Sequence, residues 1–389
     1  MRSPGRANLR RFAVYLAVVG AINLALILAR LSLHDGNPSH FAEIGSELSQ
    51  QAELPSGYTT IPGVGADGQF YLRLALTPFT QAVTEYGMIL DNPPYRQQRV
   101  LLPLLGWLGS DGGNPSLAPM ALIVINALGT CYLAWLGPRL MLQLGRAPAW
   151  GLALPLYPGM EIALVRDLTE IVAMCFLASA ILALLTRRFV LATVCLCGAV
   201  LSRETTVLFV GCLLLASVPA LRLTTEANSR STPSFVAVVP LTLFAGWQAW
   251  LWTRWGVIPL VAGQNNLAVP LSGVIAFAAH LQGLPNQPIA WIDALDLLSW
   301  TMISAAVLLS LRTTKLGLAY GVAWLAYSLL ALELSYAVWQ SDWHVFRALS
   351  EWFVLSALIV AASSSGSGLL ALLSTVPAWL VTAALAIFE

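Results

Sequence analysis

Apolar runs of about 15 to 22 residues recur along this chain at roughly 12–31, 117–137, 149–165, 168–186, 189–202, 205–221, 235–254, 296–311, 316–336, 347–363 and 368–388. Each approaches the ~20 residues with which a helix crosses a hydrocarbon core. Only 10% of the 389 residues are charged and 58% are hydrophobic, whereas an ordinary soluble domain carries roughly a quarter charged residues. The expected fold class is therefore all-α, a polytopic transmembrane helical bundle with about eleven spans. It divides into an N-terminal transmembrane helix (1–32), a first outer loop (33–116), a transmembrane core (117–254), a second outer loop (255–295) and C-terminal transmembrane helices (296–389).

Charge placement orients the bundle. Arg2, Arg6, Arg10 and Arg11 precede the first run, which has no small-x-small cleavage site and is long enough to span, so an uncleaved first helix with a cytoplasmic N-terminus is expected. Alternate turns then carry plain basic residues: Arg139 and Arg146, Arg187 and Arg188, Arg222 and Arg230, Arg312 and Lys315. By the excess of arginine and lysine on cytoplasmic turns, these lie inside. The opposite turns mix both signs: Glu161, Arg166, Asp167 and Glu170; Arg203 and Glu204; Arg254; and Asp342, His344, Arg347 and Glu351. Ionisable residues gathered at span ends on one side point to a site, the alternative being that they only lower the cost of charge near hydrocarbon. Basic residues are dispersed and the formal net charge is +1, so no nucleic-acid partner is expected. All five cysteines fall in apolar runs, as small core residues do, and Cys195 and Cys197 have no second ligand pair at zinc spacing.

The first outer loop holds Gly65-Ala66-Asp67-Gly68-Gln69-Phe70-Tyr71. Small neighbours let a substrate come close to the Asp67 carboxylate, which would take a proton from an incoming hydroxyl; equally, Asp67 would cap the helix that begins at Gly68. Gln69, Arg73 and Thr77 repeat every fourth residue before Pro78, predicting a short helix lying in the membrane interface. Arg96 and Arg99 share a helix face beside Tyr95 and suit a phosphate gripped by guanidinium forks, or snorkelling toward lipid headgroups. Val100–Leu108 is too short to span, predicting a second interfacial or half-inserted helix, and 255–295 reads as a lid or a further interfacial helix. Arg203 and Glu204, being adjacent, cannot share a helix face, so one is expected to enter a central cavity. Arg347 and Glu351 are expected to line that cavity from the far end of the chain. Four outer arginines with acids between them suit an anionic lipid head, and no nucleotide-binding glycine loop, H-E-x-x-H or G-x-S-x-G is present.

In Gly65–Leu76, in Tyr95-Arg96-Gln97-Gln98-Arg99-Val100-Leu101-Leu102-Pro103 and in Leu201-Ser202-Arg203-Glu204-Thr205, the chain resembles a bacterial branch of the GT-C membrane glycosyltransferases linked to cell-surface glycopolymer formation. That branch is distantly similar to the mannosyltransferases of GPI-anchor assembly. The resemblance implies a GT-C-like fold in a bacterial inner membrane, with the active site on the outer side. It also implies a polyprenyl-phosphate-linked sugar as donor and a glycan, lipid or protein as acceptor. Asp67 would be the general base, Arg96, Arg99, Arg203 and Arg347 with Tyr95 would bind the lipid phosphate, and Glu204, Arg166, Asp167 and His344 would support them. Where many relatives of that class carry an acidic pair, Asp67-Gly68 has one carboxylate, so no cofactor is expected and a divalent metal is doubtful. A lipid-linked sugar transporter, or a non-catalytic subunit of a glycopolymer assembly, is the alternative; a transporter places its ionisable residues nearer mid-membrane.

Overall fold

The computed structural model describes residues 6–217, 232–283, 288–340, 342–364 and 367–388. Arg2, the inner-turn residues Arg222 and Arg230, the segment Pro285-Asn286-Gln287 and the side chain of His344 lie outside what is described. Among the described residues the chain is all-α apart from two pairs of two-residue strands in 33–116, the expected first outer loop. Five helical segments among the described residues are long and apolar enough to cross a membrane: Arg10–Leu33, Ala118–Gln143, Phe235–Trp255, Asp293–Ser310 and Gly368–Leu385. The other apolar runs form shorter helices.

Helix α1 (Arg6–Leu33) leads into the outer loop, where α2 (Gly68–Leu76), α3 (Pro93–Gln97) and α4 (Leu101–Gly109) are threaded between short strands. Strand β1 (Ile44–Gly45) pairs in parallel with β2 (Thr60–Ile61), and β3 (Thr84–Glu85) with β4 (Met88–Ile89) as a hairpin. The core follows as α5 (Ala118–Gln143), α6 (Pro158–Val165), α7 (Glu170–Leu185), α8 (Phe189–Ser202), α9 (Val207–Ser217) and α10 (Phe235–Trp255). The second outer loop holds α11 (Pro259–Ala262) and α12 (Ser272–Gly283), and the C-terminal part α13 (Pro288–Ser310), α14 (Leu318–Glu333), α15 (Tyr336–Trp339), α16 (Asp342–Ala348), α17 (Ser350–Ala362) and α18 (Thr375–Phe388).

A helix that is apolar all round belongs inside, and α17 meets that expectation: every one of its residues is buried, against α5, α7, α13 and α14. Its C-terminal carbonyls are satisfied from a distance, Arg146 donating from Nε to Ala361 O at 2.7 Å and from Nη2 to Ser363 O. A cation there also complements the negative end of the helix dipole. By contrast α1, α10 and α13 expose aliphatic side chains such as Val18, Leu24, Val238 and Leu308, as lipid-facing helices do.

Two expectations are corrected. The run 149–165 is not one helix but a 3-10 turn (Pro148–Ala153) and the eight-residue α6, because Pro155 and Pro158 remove amide donors and fix backbone angles between them. Helix α2 does not lie on an interface: all nine of its residues are buried in protein. Its polar stripe is consumed internally, since Gln69 accepts from Gly45 N–H at 3.1 Å and donates to Val64 O at 2.8 Å, while Arg73 donates to Glu85 and Thr77.

Candidate active site

The segment before α2 is held from three sides. Glu43, in left-handed backbone (φ 48°), accepts at its carbonyl from Ala66 N–H at 3.0 Å. Its carboxylate receives Arg30 Nη2 at 2.5 Å and lies 3.3 Å from Arg166 Nε. Gly65 (φ 70°) turns the chain, and Gly68 lies so close to the carbonyl of Arg166 that no β-carbon fits between them. Asp67 occupies the N-cap position of α2, yet its side chain makes no capping hydrogen bond. The carboxylate turns instead toward two guanidiniums: Arg96 Nη1 reaches Oδ1 at 2.9 Å and Arg347 Nη2 reaches Oδ2 at 2.5 Å.

In Tyr95-Arg96-Gln97-Gln98-Arg99 the residue types alternate in duty. The glutamines grip scaffold: Gln97 Nε2 donates to Pro78 O at 2.8 Å, Trp255 Nε1 donates to Gln97 Oε1 at 2.7 Å, and Gln248 Nε2 donates to Gln98 Oε1 at 3.1 Å. The arginines, one helical turn apart, both face the cavity. Arg96 forks onto Asp91 at 2.8 and 2.7 Å as well as binding Asp67. Burial works against its charge, but Asp67 and Asp91 hold its guanidinium above its ordinary value. Arg99 forks onto Glu204 at 2.7 and 2.5 Å and donates to the hydroxyls of Tyr71 at 3.0 Å and Tyr95 at 2.8 Å. The Tyr71 hydroxyl, deprived of water, is pushed up to about 12 and stays protonated.

Helix α8 ends at Ser202, and Arg203 takes extended backbone (φ −155°, ψ 123°) before a 3-10 turn over Glu204–Thr206. That break lets both neighbours face the cavity, where one was expected. Arg203 Nη1 donates to Glu351 Oε2 at 2.9 Å and to the carbonyl of Arg347 at 2.8 Å, tying α8 to the end of α16. Glu351 also accepts from Thr205 Oγ1 at 2.6 Å and, contrary to expectation, stands behind the cavity wall instead of lining it.

These residues enclose a cavity of about 410 Å³. Asp67, Tyr95, Arg96, Arg99, Arg203, Glu204 and Arg347 all line it, brought together from four separate stretches of the chain. Its other wall is apolar, from Leu260 and Leu267 of the second outer loop to Leu330, Leu334 and Val338. Backbone bonds from Ala268 N–H to Glu333 O and from Leu271 N–H to Leu332 O, both 2.7 Å, dock that loop onto the end of α14. Asn266 Nδ2 then reaches the Tyr95 hydroxyl at 3.1 Å. Arg166 and Asp167 do not line the cavity: Arg166 supports Glu43, and Asp167 is fully buried in left-handed backbone (φ 51°). Burial pushes the Asp167 carboxyl well above its ordinary range.

The arginines differ in what they have left to give. Arg96, Arg99 and Arg203 are committed to protein acceptors on several nitrogens. Arg347 spends only Nη2, on Asp67, among the described residues. One ionisable cavity residue was missed as a site candidate: Glu170, the first residue of α7, is buried, lines the cavity, and has an Oε2 without a hydrogen-bond partner among the described residues. The only sequence signal for it was its place among the mixed-sign outer turns. No group of three or more metal-ligating side chains occurs among the described residues. No family model, curated protein or solved structure matches this chain.

Proposed function

We propose that this chain is an integral membrane glycosyltransferase of GT-C type, which moves a sugar from a polyprenyl-phosphate donor to a hydroxyl of a glycan, lipid or protein acceptor on the outer face of a bacterial inner membrane. The observation that carries this reading is the Asp67 carboxylate suspended between Arg96 and Arg347. Two guanidiniums that converge on one anion fit a phosphate beside it, and a charged wall facing an apolar one fits a lipid-borne head. About eleven spans would then come from the five long helices plus shorter ones, with the plain arginines of the inner turns in the cytoplasm.

The reaction is one inverting displacement. Arg347, with donors to spare, stabilises the charge gathering on the leaving phosphate, and the Arg96 charge stands beside it, the largest contribution a preorganised site makes. A cavity carboxylate takes the acceptor proton; the sequence points to Asp67 for this, through its place between Ala66 and Gly68. Purified membranes supplied with labelled polyprenyl-phosphate sugars test the reading. Labelled product from wild type, reduced at least tenfold in Arg347→Ala, is the expected outcome. Donor binding that is unaffected by Arg347→Ala, with no product from any donor, would overturn it.

A further inference from the structure

The three carboxylates that line the cavity are not equivalent. Both oxygens of Asp67 already accept from guanidiniums, one from Arg96 at 2.9 Å and one from Arg347 at 2.5 Å. A carboxylate so held has its lone pairs committed and its negative charge stabilised, which makes it a poor base. Glu204 is likewise occupied, both of its oxygens receiving Arg99. Glu170 alone among the carboxylates lining the cavity makes no ion pair within 4.0 Å among the described residues, and it leaves Oε2 buried without a partner. A buried carboxylate oxygen is almost always satisfied in a folded protein, and those that are not call for a role that the fold itself does not explain.

Resting on the proposed transferase reading, we infer that Glu170 is the general base that binds and deprotonates the acceptor hydroxyl, and that Asp67 is a positioning residue that fixes Arg96 and Arg347 for the donor phosphate. In the step, the acceptor oxygen forms its bond to the anomeric carbon as the bond from that carbon to the phosphate oxygen breaks. The electron pair of the broken bond stays on the phosphate, which gains one negative charge beside Arg347. The acceptor proton passes to Glu170, which becomes neutral. Position supports the assignment: Glu170 opens the first turn of α7 and lines the same cavity wall as Arg203 and Arg347.

The fold and the chemistry make opposite demands on this side chain, and that gives a readout besides turnover. A glutamate whose carboxylate is bonded into the fold loses stability when neutralised, whereas one that keeps a buried oxygen unbonded loses little. Glu170→Gln, Glu170→Asp and Asp67→Asn in nanodiscs are compared with wild type for melting temperature, for binding of farnesyl phosphate as the lipid-phosphate probe, and for transfer across a pH series. Glu170→Gln is expected to melt no lower than wild type, to bind farnesyl phosphate within about twofold, and to lose at least about a hundredfold in transfer rate, as removal of a general base does. Its residual rate loses the acidic limb of the pH profile, while Glu170→Asp keeps that limb at a reduced rate. Asp67→Asn keeps the limb too, and shifts farnesyl phosphate affinity. Transfer by Glu170→Gln within threefold of wild type, or loss of the acidic limb in Asp67→Asn instead, overturns the assignment while leaving the transferase reading intact. Wild type that neither binds farnesyl phosphate nor transfers sugar overturns both.

Discussion

Arg347 lies 280 positions after Asp67 and donates to its Oδ2 at 2.5 Å, closing the cavity between the first outer loop and the C-terminal helices. Arg203 fixes Arg347 from behind through its backbone carbonyl at 2.8 Å, so the guanidinium is presented by a braced helix end. The first prediction follows from that bracing. Arg347→Ala lowers kcat/KM for transfer by about 10²- to 10³-fold, the usual effect of removing one preorganised donor. Arg347→Lys recovers part of it, because an ammonium restores charge but not the planar fork. Initial rates over a donor series measure both, and unchanged kcat/KM in the alanine variant removes Arg347 from the phosphate site.

Arg99 and Glu204 form a nearly buried forked pair, the side chains 7% and 11% exposed. Removing one partner of such a pair strands the other charge and costs about 3–5 kcal/mol. Arg99→Met and Glu204→Leu are each expected to melt several degrees below wild type in detergent. The double variant is expected to recover part of that loss, since neither charge is then left alone. Strictly additive losses would show that the two residues act separately.

The places where structure and sequence part company have a common cause. Apolar runs are local, so the bundle and its long helices were legible; charge asymmetry between turns singled out Arg203, Glu204 and Arg347, and their spacing singled out Arg96 and Arg99, all of which line one cavity. What could not be read were partners. Nothing in the spacing says that Glu204 belongs to Arg99, 105 positions away, or that Glu351 belongs to Arg203 and not to the cavity. Helix α2 was misplaced for a related reason: its stripe of Gln69 and Arg73 looks like a water-facing stripe unless the backbone of residues 43–66 is known to fold over it. Glu170 stood only as one of a mixed-sign turn, because which carboxylate oxygen the fold leaves unbonded is not written in local spacing.

His34 and His40 stack with ring centroids 3.3 Å apart, close to Arg30, at the foot of the first outer loop. Burial, with His34 and Arg30 beside it, lowers the pKa of His40 from 6.5 to about 4, and burial lowers that of His34 too. The unfolded chain therefore takes up protons as pH falls below 6.5 that the folded chain refuses until about 4. Stability drops across that window and levels off below it. His40→Gln is expected to flatten the fall in melting temperature between those two values relative to wild type. A variant that tracks wild type through the window would show that this ring does not titrate against folding.

Gly68 joins the turn to the carboxylate chemistry. A β-carbon there meets the carbonyl oxygen of Arg166 and lies 3.1 Å from the Ala42 α-carbon. Both obstacles are backbone, so relief requires the turn itself to shift, and Asp67 is the adjacent residue. A displacement of about 1 Å at a reacting geometry costs about a hundredfold in rate. Gly68→Ala is thus expected to lose about that much transfer, with donor affinity changed as Arg96 and Arg347 lose their common anchor. Gly57→Ala is the matched control: its φ of 87° carries local strain, but nothing lies within 4 Å of the added carbon and Gly57 does not line the cavity. Equal transfer by Gly68→Ala and wild type would mean that the close packing of this turn against Arg166 does not set the position of Asp67.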